Sequence, residues 1–154
     1  LILVEKFKAA AAAEKKEIVN FYLNNSEKIN NWDLVDLSAD KILGSYMADK
    51  DKSILYKLAK STNLWERRTA IIATFAFIRR NEFDDALGIS ELLLQDKHDL
   101  IQKAVGWMLR EIGKRDIVAE DKFLRRHYKT MPRTTLRYAI ERFSDDKKRF
   151  YLGK

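Results

Sequence analysis

The scarcity of chain-breaking residues is the feature that most constrains the fold of this chain. One proline and five glycines among 154 residues leave few positions for the tight turns that strands and hairpins need. Alanine, leucine, lysine, glutamate and arginine dominate instead, and all five favour helices. The sequence therefore predicts an all-α protein, folded as a single domain over residues 1–154 and long enough to bury a hydrophobic core.

Apolar residues recur at helical spacing in seven segments, and an eighth begins at Pro132, a residue type suited to a first helical turn. The short connections favour antiparallel packing of neighbours. Leu1–Val4 already has the apolar pattern of a helix, without an initiator methionine, so we expect that helices before residue 1 are missing. The seven segments are residues 14–23, 34–47, 52–60, 64–80, 84–94, 100–114 and 115–128.

A weak internal repeat aligns Ala70, Ala104 and Ala139, at spacings of 34 and 35 residues. Helix pairs that repeat at about this length are typical of α-solenoids of the HEAT type. One helix of each pair then lines a concave face, and basic residues on it would suit a phosphate backbone. The cations that this register places on the curved, basic concave surface are Arg68, Lys103 and Arg137.

Charge and composition limit the partners. The net charge is +7, and residues 122–154 hold 11 basic and 3 acidic residues. This excess favours polyanions, although solvated surface lysines would give the same figure. There is no cysteine, and His98 and His127 lie far apart, so we expect no disulfide, metal or cofactor. No apolar run approaches the length of a membrane span or a signal peptide, so we expect a soluble, cytoplasmic protein.

Each of the three tryptophans has a charged residue one helical turn further on. Residues at i+3 and i+4 share a helix face, so each pair presents an aromatic ring beside a charge. Such pairs suit a charged ring or a sugar-phosphate better than they suit a core. The pairs are Trp32 with Asp36, Trp65 with Arg68, and Trp107 with Arg110.

Structural roles compete with this interpretation. Asp33 can cap a helix in which Asp36 occupies the third position and Trp32 packs against the entry. Gly106 in mid-helix costs about 1 kcal/mol relative to alanine, which implies close approach of a ligand or of another helix. Arg110 can equally pair with a carboxylate on a neighbouring helix.

The middle pair has a structural alternative of its own. Asn63 and Glu66 form the pattern of a capping box at the start of a helix. In that alternative Trp65 is buried and Arg68 lies on a solvated flank.

Four segments together resemble the AlkD-type DNA alkylation repair family. They are Asn-Trp-Asp-Leu-Val-Asp at residues 31–36, Leu-Trp-Glu-Arg-Arg at 64–68, Gln-Lys-Ala-Val-Gly-Trp-Met-Leu-Arg-Glu at 102–111 and Leu-Arg-Tyr-Ala-Ile-Glu at 136–141. The family is a HEAT-like helical array of DNA glycosylases that act on alkylated purines, and its domain has further helices before the first of these segments. The resemblance covers nearly the whole chain in register.

The resemblance implies roles for individual residues. Asp36 matches the catalytic carboxylate, Trp32 and Trp107 match aromatics that flank the deoxyribose, and Arg68 matches a cation near the DNA backbone. The implied partner is double-stranded DNA with alkylated purines. We expect the protein itself to be a monomer. Secondary backbone contacts, by the concave-face argument, are Lys103 and Arg137.

The predicted function is a monofunctional DNA glycosylase that releases cationic N3- or N7-alkylated purines by hydrolysis. A carboxylate would stabilise the oxocarbenium-like sugar and orient water. No lysine is singled out as a nucleophile, so we expect no strand cleavage. One alternative is a non-catalytic HEAT-like scaffold that binds DNA or protein on its concave face. Another is an inactive remnant that lacks its early helices.

Overall fold

Helices follow one another through residues 1–153, the part of the chain that the structure, a computed structural model, describes. This confirms the predicted all-α class. Each helix in this range is too short or too polar to cross a lipid bilayer. The helices are α1 (Ile2–Ala9), α2 (Ala12–Asn24), α3 (Trp32–Ser38), α4 (Ser45–Met47), α5 (Ser53–Ala59), α6 (Leu64–Ala73), α7 (Phe75–Ile78), α8 (Asp84–Leu93), α9 (Asp99–Arg115), α10 (Ile117–His127), α11 (Arg133–Ala139) and α12 (Asp145–Leu152), with a 3₁₀ turn at Ser26–Lys28 and a π-helical turn at Asp40–Gly44.

Two of the predicted helices are interrupted, and a buried polar group lies at each interruption. The segment over residues 34–47 widens into the π-helical turn, where buried Asp40 accepts a hydrogen bond from Arg79 Nη2 at 2.6 Å. The segment over residues 64–80 breaks at Thr74, whose buried hydroxyl donates to the Ile71 carbonyl at 2.6 Å. Apolar spacing does not predict these breaks, because polar contacts decide them.

The two ends of the described chain are helical as well. At the start, α1 confirms the helical pattern and buries Val4 and Phe7. The apolar pattern does not predict α12, because Tyr151 is its one buried side chain within the described residues. Local contacts define α12 instead: the Ser144 hydroxyl caps its start, and Gly153, at φ 69°, follows its end.

The helices form the two layers of an α-solenoid. In the inner layer, α3 packs against α6, α6 against α9, and α9 against α11. In the outer layer, α5 packs against α6 and α8, and both α8 and α10 pack against α9. Ala70, Ala104 and Ala139 are buried on the successive inner helices α6, α9 and α11. The HEAT-like architecture is confirmed, and the repeat marks its inner helices.

The crossing of α9 and α11 explains the glycine in the middle of α9. A Cβ atom on Gly106 would lie 2.6 Å from the Thr135 carbonyl oxygen and would also overlap Cβ of Tyr138. The close approach of a second helix therefore accounts for Gly106, as the structural alternative predicts.

Candidate functional site

A cleft of about 330 Å³ crosses the inner layer of the solenoid. Its volume lies at the lower end of the range of roughly 300–1,000 Å³ that small-molecule sites occupy. Residues from α3, α6, α9 and α11 line it, so all four inner helices contribute. The lining residues are Trp32, Asp36, Arg68, Leu100, Lys103, Trp107, Arg110 and Tyr138.

Asp36 and Arg68 form a bidentate ion pair in this cleft. Arg68 Nε donates to Oδ1 of Asp36 and Arg68 Nη2 donates to Oδ2, each at 2.9 Å. The third nitrogen, Nη1, donates to the Leu100 carbonyl, so the guanidinium joins α3, α6 and α9. The aspartate side chain is 16% exposed and the arginine side chain 7%, so the negative end of the pair is the more accessible one. Each carboxylate oxygen retains a lone pair for a ligand or a water molecule.

Trp32 and Trp107 reach the cleft from helices on opposite sides of α6. Trp32 is the first residue of α3, and half of its surface is exposed. Trp107 is half-buried and packs against Phe75, with ring centroids 5.9 Å apart and planes inclined at 56°. One ring is therefore held by packing, and the other is open to a ligand.

The cap of α3 places Asp36 more than one turn into the helix. Asn31 Oδ1 accepts the backbone N–H of Asp33 at 2.9 Å, so Asn31 is the capping residue. The interpretation in which Asp33 caps the helix and Asp36 occupies its third position is wrong. Asp36 instead lies where its side chain meets Arg68.

The cap of α6 is confirmed, but its capping box is not closed. Asn63 Oδ1 accepts from Trp65 N at 2.8 Å and from Glu66 N at 3.3 Å. The Glu66 carboxylate accepts from the hydroxyls of Ser26, at 2.7 Å, and Ser61, at 2.5 Å. Trp65 is half-buried against the core, whereas Arg68 is buried. The alternative in which Arg68 lies on a solvated flank is therefore wrong.

Every cation that lines the cleft has a carboxylate partner within the described chain. Besides the Asp36 pair, Lys103 Nζ lies 2.7 Å from Oδ2 of Asp99, and Arg110 pairs with Glu141. Arg110 does pair with a carboxylate, as the structural alternative for that residue predicts, but Glu141 lies in the turn after α11 and not on a helix. The lining therefore holds three cations and one carboxylate, and two exposed carboxylates outside the lining, Asp99 and Glu141, offset the other two positive charges.

The cleft brings together five of the six residues that the sequence singles out, and Arg137 is the exception. Arg137 is exposed on α11, outside the lining, and makes no ion pair within residues 1–153. Sequence reasoning singled out Arg137 but missed Tyr138, the residue that follows it. Tyr138 lies in the cleft. The signal was present, because Tyr138 neighbours the repeat alanine of α11 and Gly106 leaves space for its approach.

Glu120 is a buried carboxyl group next to the cleft. It is 1% exposed, and its Oε1 atom has no hydrogen-bond partner in the described part of the chain. Gly113 leaves room for it, since a Cβ atom there would lie 2.7 Å from the carboxyl carbon. Burial, and secondarily the charge of Asp121, raise the pKa of Glu120 to about 8. Glu120 is therefore protonated in the folded protein at neutral pH.

We expect Glu120→Gln to make the stability of the protein less dependent on pH. Because folding raises the pKa of this carboxyl, it contributes stability below its unfolded pKa, about 4.5, and loses that contribution as pH rises to about 8. Thermal unfolding at pH 5 and pH 8.5 should show a smaller loss of Tm for the variant than for the wild type. The exposed Glu17→Gln is the control. An equal loss of Tm in Glu120→Gln and the wild type would contradict this account.

Other concave surfaces lack the combination of a carboxylate with tryptophan rings. Two grooves, of about 440 and 560 Å³, have charged side chains in their lining but no tryptophan. A larger groove, of about 600 Å³, lies between α1, α2 and α3, and apolar side chains such as Leu1, Phe21 and Leu34 dominate it. No aspartate, glutamate, lysine or arginine lines this groove. Within residues 1–153 no three histidine, aspartate or glutamate side chains are grouped so that they could hold a metal ion. The smaller cleft is therefore the candidate site.

Comparisons with known proteins agree with the fold and place the chain among relatives. The family model described as DNA alkylation repair enzyme matches residues 1–143. A solved structure described as a predicted DNA alkylation repair enzyme from Enterococcus faecalis is similar, with a TM-score of 0.71 and 20% sequence identity. The match covers 93% of this chain and 65% of that one, so the chain spans about two thirds of its length. A comparison with curated proteins finds no match.

Proposed function

We propose that this chain, which belongs to the DNA alkylation repair enzyme family, is a monofunctional DNA glycosylase. It would hydrolyse the N-glycosidic bond of cationic N3- and N7-alkylated purines in duplex DNA. The observation that supports this most is a largely buried carboxylate, that of Asp36, whose 16% exposed surface lies in a cleft that also contains Trp32 and Trp107.

The chemistry requires an anion near the sugar. An alkylated purine is positively charged and leaves as a neutral base, so the positive charge moves to the deoxyribose. A carboxylate about 4 Å away would stabilise that charge by roughly 1 to 4 kcal/mol, depending on the water that remains. Arg68 opposes part of this effect, so the lower half of the range applies. Since each 1.36 kcal/mol is a factor of ten in rate, the field of Asp36 supplies about one power of ten.

A second contribution of Asp36 is the orientation of water. Arg68 occupies one lone pair on each oxygen of this carboxylate, which lines the cleft, and no other side-chain hydrogen bond within residues 1–153 occupies the remaining ones. A water bound there would be activated as it attacks the sugar, and general-base catalysis of this kind contributes typically 10²- to 10⁴-fold. Arg68 is then a positioning residue that holds the carboxylate in one orientation.

The rest of the cleft suits a cationic substrate. The faces of Trp32 and Trp107 can each stabilise a positive sugar or base by roughly 0.5 to 2 kcal/mol through cation–π attraction. The cations of the wall are paired with carboxylates, which reduces their repulsion of an alkylated base. These modest terms suffice for a bond that alkylation has already weakened. They do not suffice for a neutral base such as uracil.

The proposal predicts a sharp substrate preference. Incubated with duplex DNA that carries 7-methylguanine or 3-methyladenine, the protein should release the free methylated base and leave an intact abasic strand. With a matched uracil duplex, release should be at least 100-fold slower. Chromatography of the free bases measures both. Equal release of uracil would contradict the proposal, and binding without release of any base would favour the non-catalytic scaffold.

A further inference from the structure

Tyr138 is a large aromatic side chain in the cleft to which the proposed reaction assigns no role. It lines the cleft from α11, opposite the helix that carries Asp36, and it is 37% exposed. Its hydroxyl forms no hydrogen bond with any of residues 1–153, so a donor is available at the edge of the cleft. A partly exposed phenol with a free hydroxyl is a group suited to a polar ligand.

The backbone around Tyr138 is held in place by two contacts with α9. Gly106 allows close contact, because any side chain there would overlap Cβ of Tyr138 and the Thr135 carbonyl. Arg110 Nη1 lies 3.4 Å from the Tyr138 carbonyl oxygen and pairs with Glu141, just beyond the end of α11. Gly106 and Arg110 thus both help to fix the position of the Tyr138 backbone.

Lys103 is a second hydrogen-bond donor in the lining of the same cleft. Lys103 and Trp107 lie one turn apart on the face of α9 that lines the cleft. The Asp99 carboxylate raises the pKa of Lys103, so the side chain stays a cation, and it lines the same cleft of about 330 Å³ as Tyr138. The Asp99 pair is solvent-accessible and contributes little stability, so an incoming anion can replace it.

We propose that Tyr138 and Lys103 together form a phosphate subsite, which binds the DNA backbone beside the nucleotide that loses its base. This inference rests on the proposed function. A phenol O–H and an ammonium are both donors, and a non-bridging phosphate oxygen accepts both. Contacts of this kind carry no sequence information but fix the register of a protein on DNA. The subsite would hold the sugar at Asp36. Arg68 is less free to bind this phosphate, because its guanidinium donates to Asp36 and to the Leu100 carbonyl.

The test uses DNA that has no base to release. The probe is a fluorescent duplex with one tetrahydrofuran abasic-site analogue, in which each neighbouring phosphate is replaced in turn by an uncharged methylphosphonate. Fluorescence anisotropy gives the Kd. We expect wild-type affinity to fall about fivefold to tenfold at one flanking linkage. Tyr138→Phe and Lys103→Gln should each weaken binding of the unmodified duplex by a similar factor. Replacing that phosphate by methylphosphonate should not lower the affinity of either variant further.

Controls separate this subsite from folding and from catalysis. Tyr128 follows α10 in the outer layer and does not line the cleft, so Tyr128→Phe should bind like the wild type. Lys103→Gln should also reduce the slope of log K against log salt by about one. The proposal is overturned if Tyr138→Phe binds like Tyr128→Phe or remains sensitive to the same methylphosphonate. If the wild type releases no alkylated base but shows this binding pattern, the glycosylase proposal fails and the subsite stands.

Discussion

Replacing Arg68 by leucine is expected to lower the free energy of unfolding by about 3 kcal/mol, the cost of leaving a buried charge without its partner. Asp36 would lose both of its hydrogen bonds from the guanidinium, and the Leu100 carbonyl would lose a donor. The three helices that this side chain joins would lose their polar connection. Urea unfolding, followed by circular dichroism, measures the change.

The matched control for that variant is an exposed arginine. Arg80 pairs with Asp49 and Glu82 on the surface, so Arg80→Leu should change stability by no more than about 1 kcal/mol. The double variant Arg68→Leu/Asp36→Leu should recover part of the loss, because no buried charge remains. If Arg68→Leu costs no more than Arg80→Leu, the ion pair does not hold these helices together.

Asp36→Asn is expected to slow the release of 7-methylguanine about 1,000-fold or more when protein is in excess over DNA. The amide has nearly the same size but lacks the charge that stabilises the sugar, and it is a much weaker base for water. The two losses multiply, about tenfold for the field and 10²-fold or more for general-base catalysis. Single-turnover kinetics, at a temperature at which both proteins are folded, measures the rate.

Asp96 provides a control that is closely matched to Asp36. It accepts from Arg67 Nε at 2.7 Å and its side chain is 10% exposed, against 16% for Asp36, but it does not line the cleft. Asp96→Asn therefore breaks a comparable ion pair without touching the candidate site, and its rate should stay within a few-fold of the wild type. Comparable losses in the two variants would assign the effect of Asp36→Asn to stability rather than to catalysis.

The fold could be predicted from the sequence because it depends on regularities of local composition. Few helix-breaking residues, apolar spacing and the repeat of Ala70, Ala104 and Ala139 are each visible without knowledge of tertiary contacts. The errors lie where a polar contact overrides that spacing, as at Asp40 and Thr74. They also lie at α12, where few side chains are buried.

The candidate site was less predictable, because its chemistry depends on contacts between distant residues. Residue spacing places Trp32 and Asp36 on one helix, but nothing in it shows that Arg68, 32 residues away, binds that carboxylate. The same ion pair gives Asp36 a structural role, because the guanidinium joins α3, α6 and α9, and the spacing of residues does not predict that role. Direct phosphate contact by Arg68 or Arg137 stays a prediction.

The central claim is that Asp36 stabilises positive charge on the sugar, and binding of a charged sugar mimic tests it most directly. Two duplexes would be compared, one with a cationic pyrrolidine in place of the deoxyribose and one with neutral tetrahydrofuran. Because catalysis requires tighter binding of the transition state, we expect the wild type to prefer the cationic duplex about tenfold or more. Asp36→Asn should lose about a factor of ten of that preference and keep only the part that the tryptophan faces provide. An equal preference for the cation in both proteins would contradict the account.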